Sequence, residues 1–135
     1  MNPTTRRIVT TMNAALVSGL FLTTAMAPAH ASGGGTRVEN NGSCSGSTVW
    51  KLKAKPDNSR IEVEGEIDSN KNGQVWSWKI KHNGTTEASG SSTTKGPSGS
   101  FSVNRRMVDK AGADTFVLRA VNSKSGEVCR GSVTL

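Results

Sequence analysis

Six consecutive residues, 68–73, have the types and the spacing that cation binding uses. They read Asp-Ser-Asn-Lys-Asn-Gly and fit the first half of an EF-hand loop, in which oxygen ligands stand at alternate positions. The second half does not fit, because Lys79 stands where a bidentate Glu is required, and one carboxylate cannot balance a divalent ion. We therefore predict an ordinary polar turn at 68–73 and no metal site.

Two further groups of residues have the types used in acid–base catalysis. His82 stands beside an Asn-Gly pair, where we expect a turn and a solvated imidazole. Glu62, Glu64 and Glu66 alternate along one predicted strand and face lysines, which favours ionised structural charges over a tuned acid. The sequence therefore predicts no catalytic residue, no cofactor and no enzyme activity.

The first 31 residues have the pattern of an export signal. Arg6 and Arg7 precede an apolar run at 14–27, which is shorter than the roughly 20 residues needed to span a bilayer. Ala29-His30-Ala31 supplies the small residues of a signal-peptidase site. We predict cleavage after Ala31 and a secreted protein, extracellular or associated with the cell wall, without membrane insertion. General secretion and the twin-arginine route both stay open, since the arginine pair resembles a twin-arginine start.

Cys44 and Cys129 are the two cysteines of the chain. An even number of cysteines in an exported protein favours pairing, so we predict one disulfide between them. The alternatives are two buried free thiols, or a metal site that both cysteines form with the distant His82.

The predicted mature chain is basic. The sequence has 17 Lys and Arg against 10 Asp and Glu, and two of these basic residues lie in the signal. A positive net charge favours solubility and attraction to anionic surfaces, without choosing among cell-wall polymers, nucleic acid and acidic proteins.

The mature chain is long enough for one small domain. Residues 32–47, rich in Gly, Ser and Asn, predict a flexible lead-in. Residues 48–135 alternate between apolar and polar types, with turn formers at intervals of about ten residues, which is typical of a β-sandwich or barrel. We predict seven strands there, and the fourth, at 85–94, is expected to be an exposed edge.

The first two predicted strands form a hairpin with a four-residue turn at 56–59. This turn places Lys53 opposite Glu62, so that charges meet as cross-strand pairs. It also places Trp50 opposite Gly65, where the missing side chain leaves room for the indole.

The third predicted strand, 74–82, points Trp76, Trp78 and Ile80 to one side. Asn83-Gly84 then predicts a type I′ hairpin turn into the edge strand.

The run 114–135, which reads DTFVLRAVNSKSGEVCRGSVTL, resembles the last two strands of immunoglobulin-like and fibronectin type III domains. The resemblance implies an all-β, seven-stranded antiparallel immunoglobulin-like sandwich, with Trp76 or Trp78 as the core tryptophan of the third strand. The family's tyrosine corner is absent, because the chain has no tyrosine. The mature chain also resembles small secreted proteins of actinobacteria, which implies export but no particular activity.

In the resembled fold, the first, second and fifth strands form one sheet, and the third, sixth and seventh belong to the other. On the first sheet, glutamates are expected to neutralise the outward lysines. On the other sheet, cations and valines are expected to point outward. Glu87 or Glu127 is expected to compensate these cations only partly. We predict a binding surface for an anionic partner, formed by Lys79, Lys81, Arg119 and Arg130. The alternative is a solvated surface whose cations serve solubility.

The leading hypothesis is a secreted, monomeric, non-catalytic binding or adhesion module that engages an anionic cell-wall polymer or an extracellular protein. Nucleic acid is the weaker candidate, because the predicted surface lacks stacking aromatics. One alternative is a protein inhibitor or effector that acts through the loop 95–98. Another is a carrier that holds a small apolar molecule in a cleft of the sandwich.

Overall fold

The computed structural model describes residues 36–135, and these form eight β-strands without a helix. The predicted signal, residues 1–31, and the start of the predicted lead-in lie outside the described residues. Residues 36–135 accordingly contain no helix of the length and apolarity that crossing a membrane requires. The strands are β1 (Val38–Ser43), β2 (Val49–Asp57), β3 (Arg60–Asp68), β4 (Val75–His82), β5 (Thr85–Thr93), β6 (Ser100–Val108), β7 (Thr115–Asn122) and β8 (Val128–Thr134).

The strands form two four-stranded antiparallel sheets. The first sheet has the order β1-β2-β3-β6, and the second has the order β5-β4-β7-β8. Apolar side chains from both sheets form one buried cluster between them, as in a β-sandwich. The predicted all-β class and the predicted division of strands between the sheets are confirmed.

The predicted count of seven strands is wrong, because β1 is an eighth strand. It lies within 32–47, the range predicted as a flexible lead-in, and pairs with β2 from Val38 opposite Ala54 onward. The side-chain amide of Asn40 also donates a hydrogen bond to the Ser132 carbonyl at 3.2 Å. The sequence does not predict this strand, because Val38 is its one hydrophobic residue and no alternation is present. Backbone hydrogen bonds hold the strand, and these do not depend on residue type.

The β2–β3 hairpin has a two-residue turn, Asn58-Ser59, instead of the predicted four-residue turn at 56–59. Both turn residues have positive φ, 48° and 64°, as a type I′ turn requires. The shorter turn moves each cross-strand partner by two residues, so Lys53 lies opposite Glu64 and not Glu62. Because this shift is even, every side chain keeps its face and lysines still meet glutamates.

The predicted pairing of Trp50 with Gly65 is also wrong. Trp50 lies opposite Ile67, and its indole packs over Gly131 of β8, where an added Cβ would lie 2.1 Å from the ring. Gly65 instead faces Leu118 of β7, whose side chain would be 3.0 Å from an added Cβ. Glycine at these two places lets the sheets approach each other closely.

The predicted Cys44–Cys129 disulfide is confirmed. Cys44 follows β1 of the first sheet and Cys129 lies in β8 of the second, so the bridge ties the two sheets together. Its cysteines are separated by 85 residues, and closing a loop of that length stabilises the fold by about 4.5 kcal/mol in the chain-entropy model.

Strand β4 and its turn agree with the sequence pattern. Trp76, Trp78 and Ile80 are buried in the core. Asn83-Gly84 has positive φ at both residues, 47° and 86°, which confirms the type I′ turn. Strand β5 is the mostly exposed edge of the second sheet, as predicted.

Candidate functional site

The four basic residues predicted to bind lie together on the outer side of the second sheet. All four are exposed, and with Val117 and Gly84 they line one depression of about 370 Å³. We call this surface the basic face; its residues are Lys79 and Lys81 of β4, Arg119 of β7 and Arg130 of β8.

The alternation of the strands fixes the direction of these side chains. Neighbours on β4 and β7, such as Trp78 and Leu118, are buried in the core, so the residues between them must point outward. Lys79 lies opposite Arg119, which in turn lies opposite Arg130. Three cations therefore stand side by side across three paired strands whose inner faces are anchored in the core.

No carboxylate balances the basic face within residues 36–135. Seven contacts of up to 4.0 Å join a basic nitrogen to a carboxylate oxygen in this part of the chain, two of them at His82, and none includes a basic-face residue. Outside the basic face, the cations of residues 36–135 without an ion pair stand at scattered positions: Lys51, Arg60, Lys71, Lys95, Arg105 and Lys124. The basic face differs from these positions because its four charges share one depression.

The compensation expected from Glu87 is absent. The β4–β5 pairing shifts between Ile80 and Lys81, which lie opposite Ala88 and Thr86, so Glu87 is an extra residue on β5. A β-bulge of this kind changes the direction of the inserted side chain. The Glu87 carboxylate accepts a hydrogen bond from the Lys110 ammonium group, which lowers the pKa of Glu87. Its charge is therefore balanced by a cation outside the basic face.

The compensation expected from Glu127 is absent as well. One carboxylate oxygen accepts hydrogen bonds from the amides of Gly46 and Thr48, at 3.0 and 2.9 Å. The other accepts one from the Thr48 hydroxyl at 2.9 Å. Glu127 thus holds the segment between β1 and β2 against the start of β8, and its acceptor oxygens are occupied there.

The outer side of the first sheet shows the opposite arrangement, and we call it the neutralised face. Lys53 pairs with Glu64 at 2.9 Å, and Lys55 pairs with Glu62 at 3.3 Å. A hydrogen bond from the Asn104 amide, followed by one from Lys55, lowers the pKa of Glu62. The residues in the ion pairs of β2, β3 and β6 are Lys53, Lys55, Asp57, Glu62, Glu64 and Arg106.

A polar cluster at the end of β4, which the sequence did not predict, consists of His82, Asp114 and Glu87. His82 is fully buried, which contradicts the expected solvated histidine. Its Nε2 shares a hydrogen bond with the Asp114 carboxylate, and its Nδ1 lies 3.4 Å from the Glu87 carboxylate. Its ring stacks on that of Phe116, with 4.4 Å between the ring centroids. The inward alternation of β4 extends to His82 and could have revealed this burial.

The cluster acts as an anchor. Asp114 also accepts a hydrogen bond from the Lys110 amide at 3.3 Å, and its backbone pairs with that of Leu135. His82 therefore ties β4 to the β6–β7 connection. Since its imidazole has no exposed surface, it offers no proton to a molecule bound from solvent.

The segment 68–73 is a hydrogen-bonded turn in the structure. The Asp68 carboxylate accepts a bond from the Asn70 amide at 3.0 Å, and the Thr94 hydroxyl donates to the Lys71 carbonyl at 2.6 Å. Asp68 thus stabilises the turn by accepting a hydrogen bond from its backbone. Across residues 36–135, no three His, Cys, Asp or Glu side chains are grouped to hold a metal ion.

Two other surfaces bear on the alternative functions. The loop 95–98 is exposed, but it is closed by hydrogen bonds from the Lys95 amide to the Ser100 carbonyl and from the Gly99 amide to the Lys95 carbonyl, both 2.9 Å. A depression of about 890 Å³ lies where residues 71–75 meet residues 122–125. These are the places where an inhibitory loop and a small carried molecule would act.

Comparisons with models of protein families, with curated proteins and with solved structures find no match to this chain.

Proposed function

We propose that this protein is an exported, non-catalytic binding module that engages an anionic partner outside the cell through its basic face. The observation that carries the proposal is the depression lined by four cations with no carboxylate partner. Long-range attraction brings an anion to such a surface, and burial of the half-exposed Val117 beside the cations adds affinity. The partner is an anionic cell-wall polymer or the acidic surface of an extracellular protein.

An immunoglobulin-like sandwich is the proposed scaffold. Strands β2, β3 and β6 share one sheet, and β5, β4, β7 and β8 form the other, which is the division expected for that family. Strand β1 is an addition to this plan. The disulfide is placed differently from the family's inter-sheet bridge, since it joins the segment after β1 to the last strand.

Export and the absence of catalysis complete the proposal. The Cys44–Cys129 disulfide supports an oxidising compartment, in agreement with the predicted signal at 1–31. The burial of His82 supports a non-catalytic role, because the one histidine after the predicted cleavage site is used as a structural anchor.

The test is retention of the purified protein on envelope material from the producing cells at increasing salt. A variant with all four basic-face residues changed to Glu should lose salt-sensitive retention, because the attraction becomes repulsion. In the matched control, four other exposed cations, which lie in turns or beside them, are changed to Glu, so the net charge changes equally. These residues are Arg60, Lys71, Lys95 and Lys124.

The control variant should keep most of its retention. Equal loss from both variants would show that bulk charge alone retains the protein and would overturn the proposal. Trapping of the protein by a protease without cleavage would favour the inhibitor, and a small apolar molecule that copurifies with the protein would favour the carrier.

A further inference from the structure

The basic face contains a straight row of three cations: Lys79, Arg119 and Arg130. They occupy directly opposite positions on β4, β7 and β8. Neighbouring strands lie about 4.8 Å apart, so the row is about 10 Å long and runs perpendicular to the strands. Lys81 lies off the row, opposite Val117.

This row is unfavourable for the free protein. Like charges directly opposite each other on a sheet repel, and no carboxylate of residues 36–135 forms an ion pair with the row. On the neutralised face, the corresponding cross-strand positions hold opposite charges, as in Lys53 opposite Glu64. An anion from outside would relieve this repulsion, and one with several charges along a chain could contact all three cations of the row at once.

The arginines indicate which anion fits best. Two of the three row residues are arginines on adjacent strands, Arg119 and Arg130. A guanidinium group presents paired donors that match the oxygens of a phosphate group in a bidentate manner. Adjacent arginines can thus bind successive phosphates, or both can hold one phosphate.

The absence of aromatic side chains on the basic face narrows the choice further. The five Trp and Phe residues between 36 and 135 are all buried. Nucleic-acid bases bind to proteins largely by stacking on exposed aromatic rings. The basic face offers no such platform, so a polymer that carries phosphates without bases fits it better than a nucleic acid does.

We propose, on the basis of the proposed function, that the row binds a linear polyol phosphate polymer. Its phosphodiester groups lie over Lys79, Arg119 and Arg130, and its chain crosses β4, β7 and β8 at a right angle. Val117, two residues from Arg119 on the same side of β7, lies beside the chain.

The test compares three soluble polyanions with equal numbers of charges: poly(glycerol phosphate), polyglutamate and single-stranded DNA. Poly(glycerol phosphate) should bind about tenfold more tightly than the other two, a difference of about 1.4 kcal/mol. Equal binding of all three, or tighter binding of DNA or polyglutamate, would overturn the inference.

A charge-preserving variant tests the arginine geometry. Arg119→Lys with Arg130→Lys keeps the net charge but removes the paired donors, so affinity for poly(glycerol phosphate) should fall about tenfold. The control, Arg37→Lys with Arg60→Lys, should bind as the unchanged protein does. Unchanged affinity of the first variant would contradict the proposed contacts.

The two proposals fail in different ways. If the four-residue Glu variant loses retention on envelope material but the three polyanions bind equally, the polyol phosphate inference alone is wrong. If the Glu variant and its control behave alike, the basic face has no binding role, and both proposals are wrong.

Discussion

The two outer faces of the sandwich carry similar numbers of cations but treat them in opposite ways. On the neutralised face, Lys53, Lys55 and Arg106 pair with carboxylates at 2.9 to 3.3 Å, and Lys51, which lies opposite Glu66, forms no ion pair with residues 36–135. On the basic face, four cations share one depression and form no ion pair with residues 36–135.

The difference arises from local structure as well as from composition. Two glutamates stand close enough in sequence to compensate the basic face, yet a β-bulge sends Glu87 to Lys110, and backbone donors occupy Glu127. Most cations of the neutralised face are paired within the domain, whereas the four cations of the basic face form no ion pair in the described part of the chain. Net charge alone would not distinguish the two.

The largest expected effect is on the scaffold that both faces share. Changing Cys44 and Cys129 together to Ala should lower the free energy of unfolding by about 4 kcal/mol, because the unfolded chain regains the freedom of a long loop. Urea unfolding at equilibrium measures this change. An unchanged midpoint would show that the bridge does not hold the sheets together.

Removing the buried imidazole should have the next largest effect. His82→Phe leaves the Asp114 carboxylate buried without its partner, which should cost about 3 kcal/mol of unfolding free energy. Phenylalanine keeps the ring that stacks on Phe116, so the change isolates the polar interaction. Wild-type stability in urea would contradict the anchoring role, and Lys124→Gln, an exposed change, provides the comparison.

Acid should affect the two faces differently. Neighbouring donors lower the pKa values of Glu62 and Glu87 below 4.5. A carboxylate with a lowered folded pKa contributes stability above its unfolded pKa and loses it as the pH falls through the folded value. Stability should therefore decrease below about pH 4.5, and Glu62→Gln with Glu87→Gln should flatten this decrease.

The basic face should be indifferent to the same acid range. Its residues include no carboxylate, so binding of a phosphodiester polymer should be constant from pH 6 down to the onset of unfolding. Titrations by fluorescence anisotropy at several pH values would show this. A decline of affinity in step with the protonation of Glu62, on the neutralised face, would mean that the faces are coupled.

The smallest expected effects have opposite signs on the two faces. Glu64→Gln removes a favourable cross-strand pair and should destabilise the domain by about 0.3 kcal/mol. Arg119→Gln removes repulsion within the basic row and should stabilise it by a similar amount. Thermal unfolding at low and high salt measures both, and the two shifts should shrink together as salt screens the charges. Shifts of the same sign would contradict the contrast between the faces.

Much of the sandwich could be predicted because alternation along a strand determines the side on which each residue lies. The inward positions of Trp76, Trp78 and Ile80 follow directly from this rule, and so do the outward cations beside them. The disulfide followed from the cysteine count. Strand β1 was missed because backbone pairing, not apolar burial, holds it.

The remaining errors have local causes. The length of the β2–β3 turn depends on Asn58 and Ser59 both adopting positive φ, which the residue types permit but do not require. The direction of the Glu87 side chain depends on an irregularity in the β4–β5 pairing, which the alternation of the sequence does not predict. A turn follows His82, which favours a solvated imidazole, yet the inward alternation of β4 continues through this residue.

The most direct test of the two-face account is a nuclear magnetic resonance titration of the isotope-labelled protein with inorganic polyphosphate. The account predicts backbone amide shifts concentrated on β4, β7 and β8 around Lys79, Arg119 and Arg130, with little change around Lys53 and Glu64. Shifts of equal size on both faces, or none on the basic face, would contradict it.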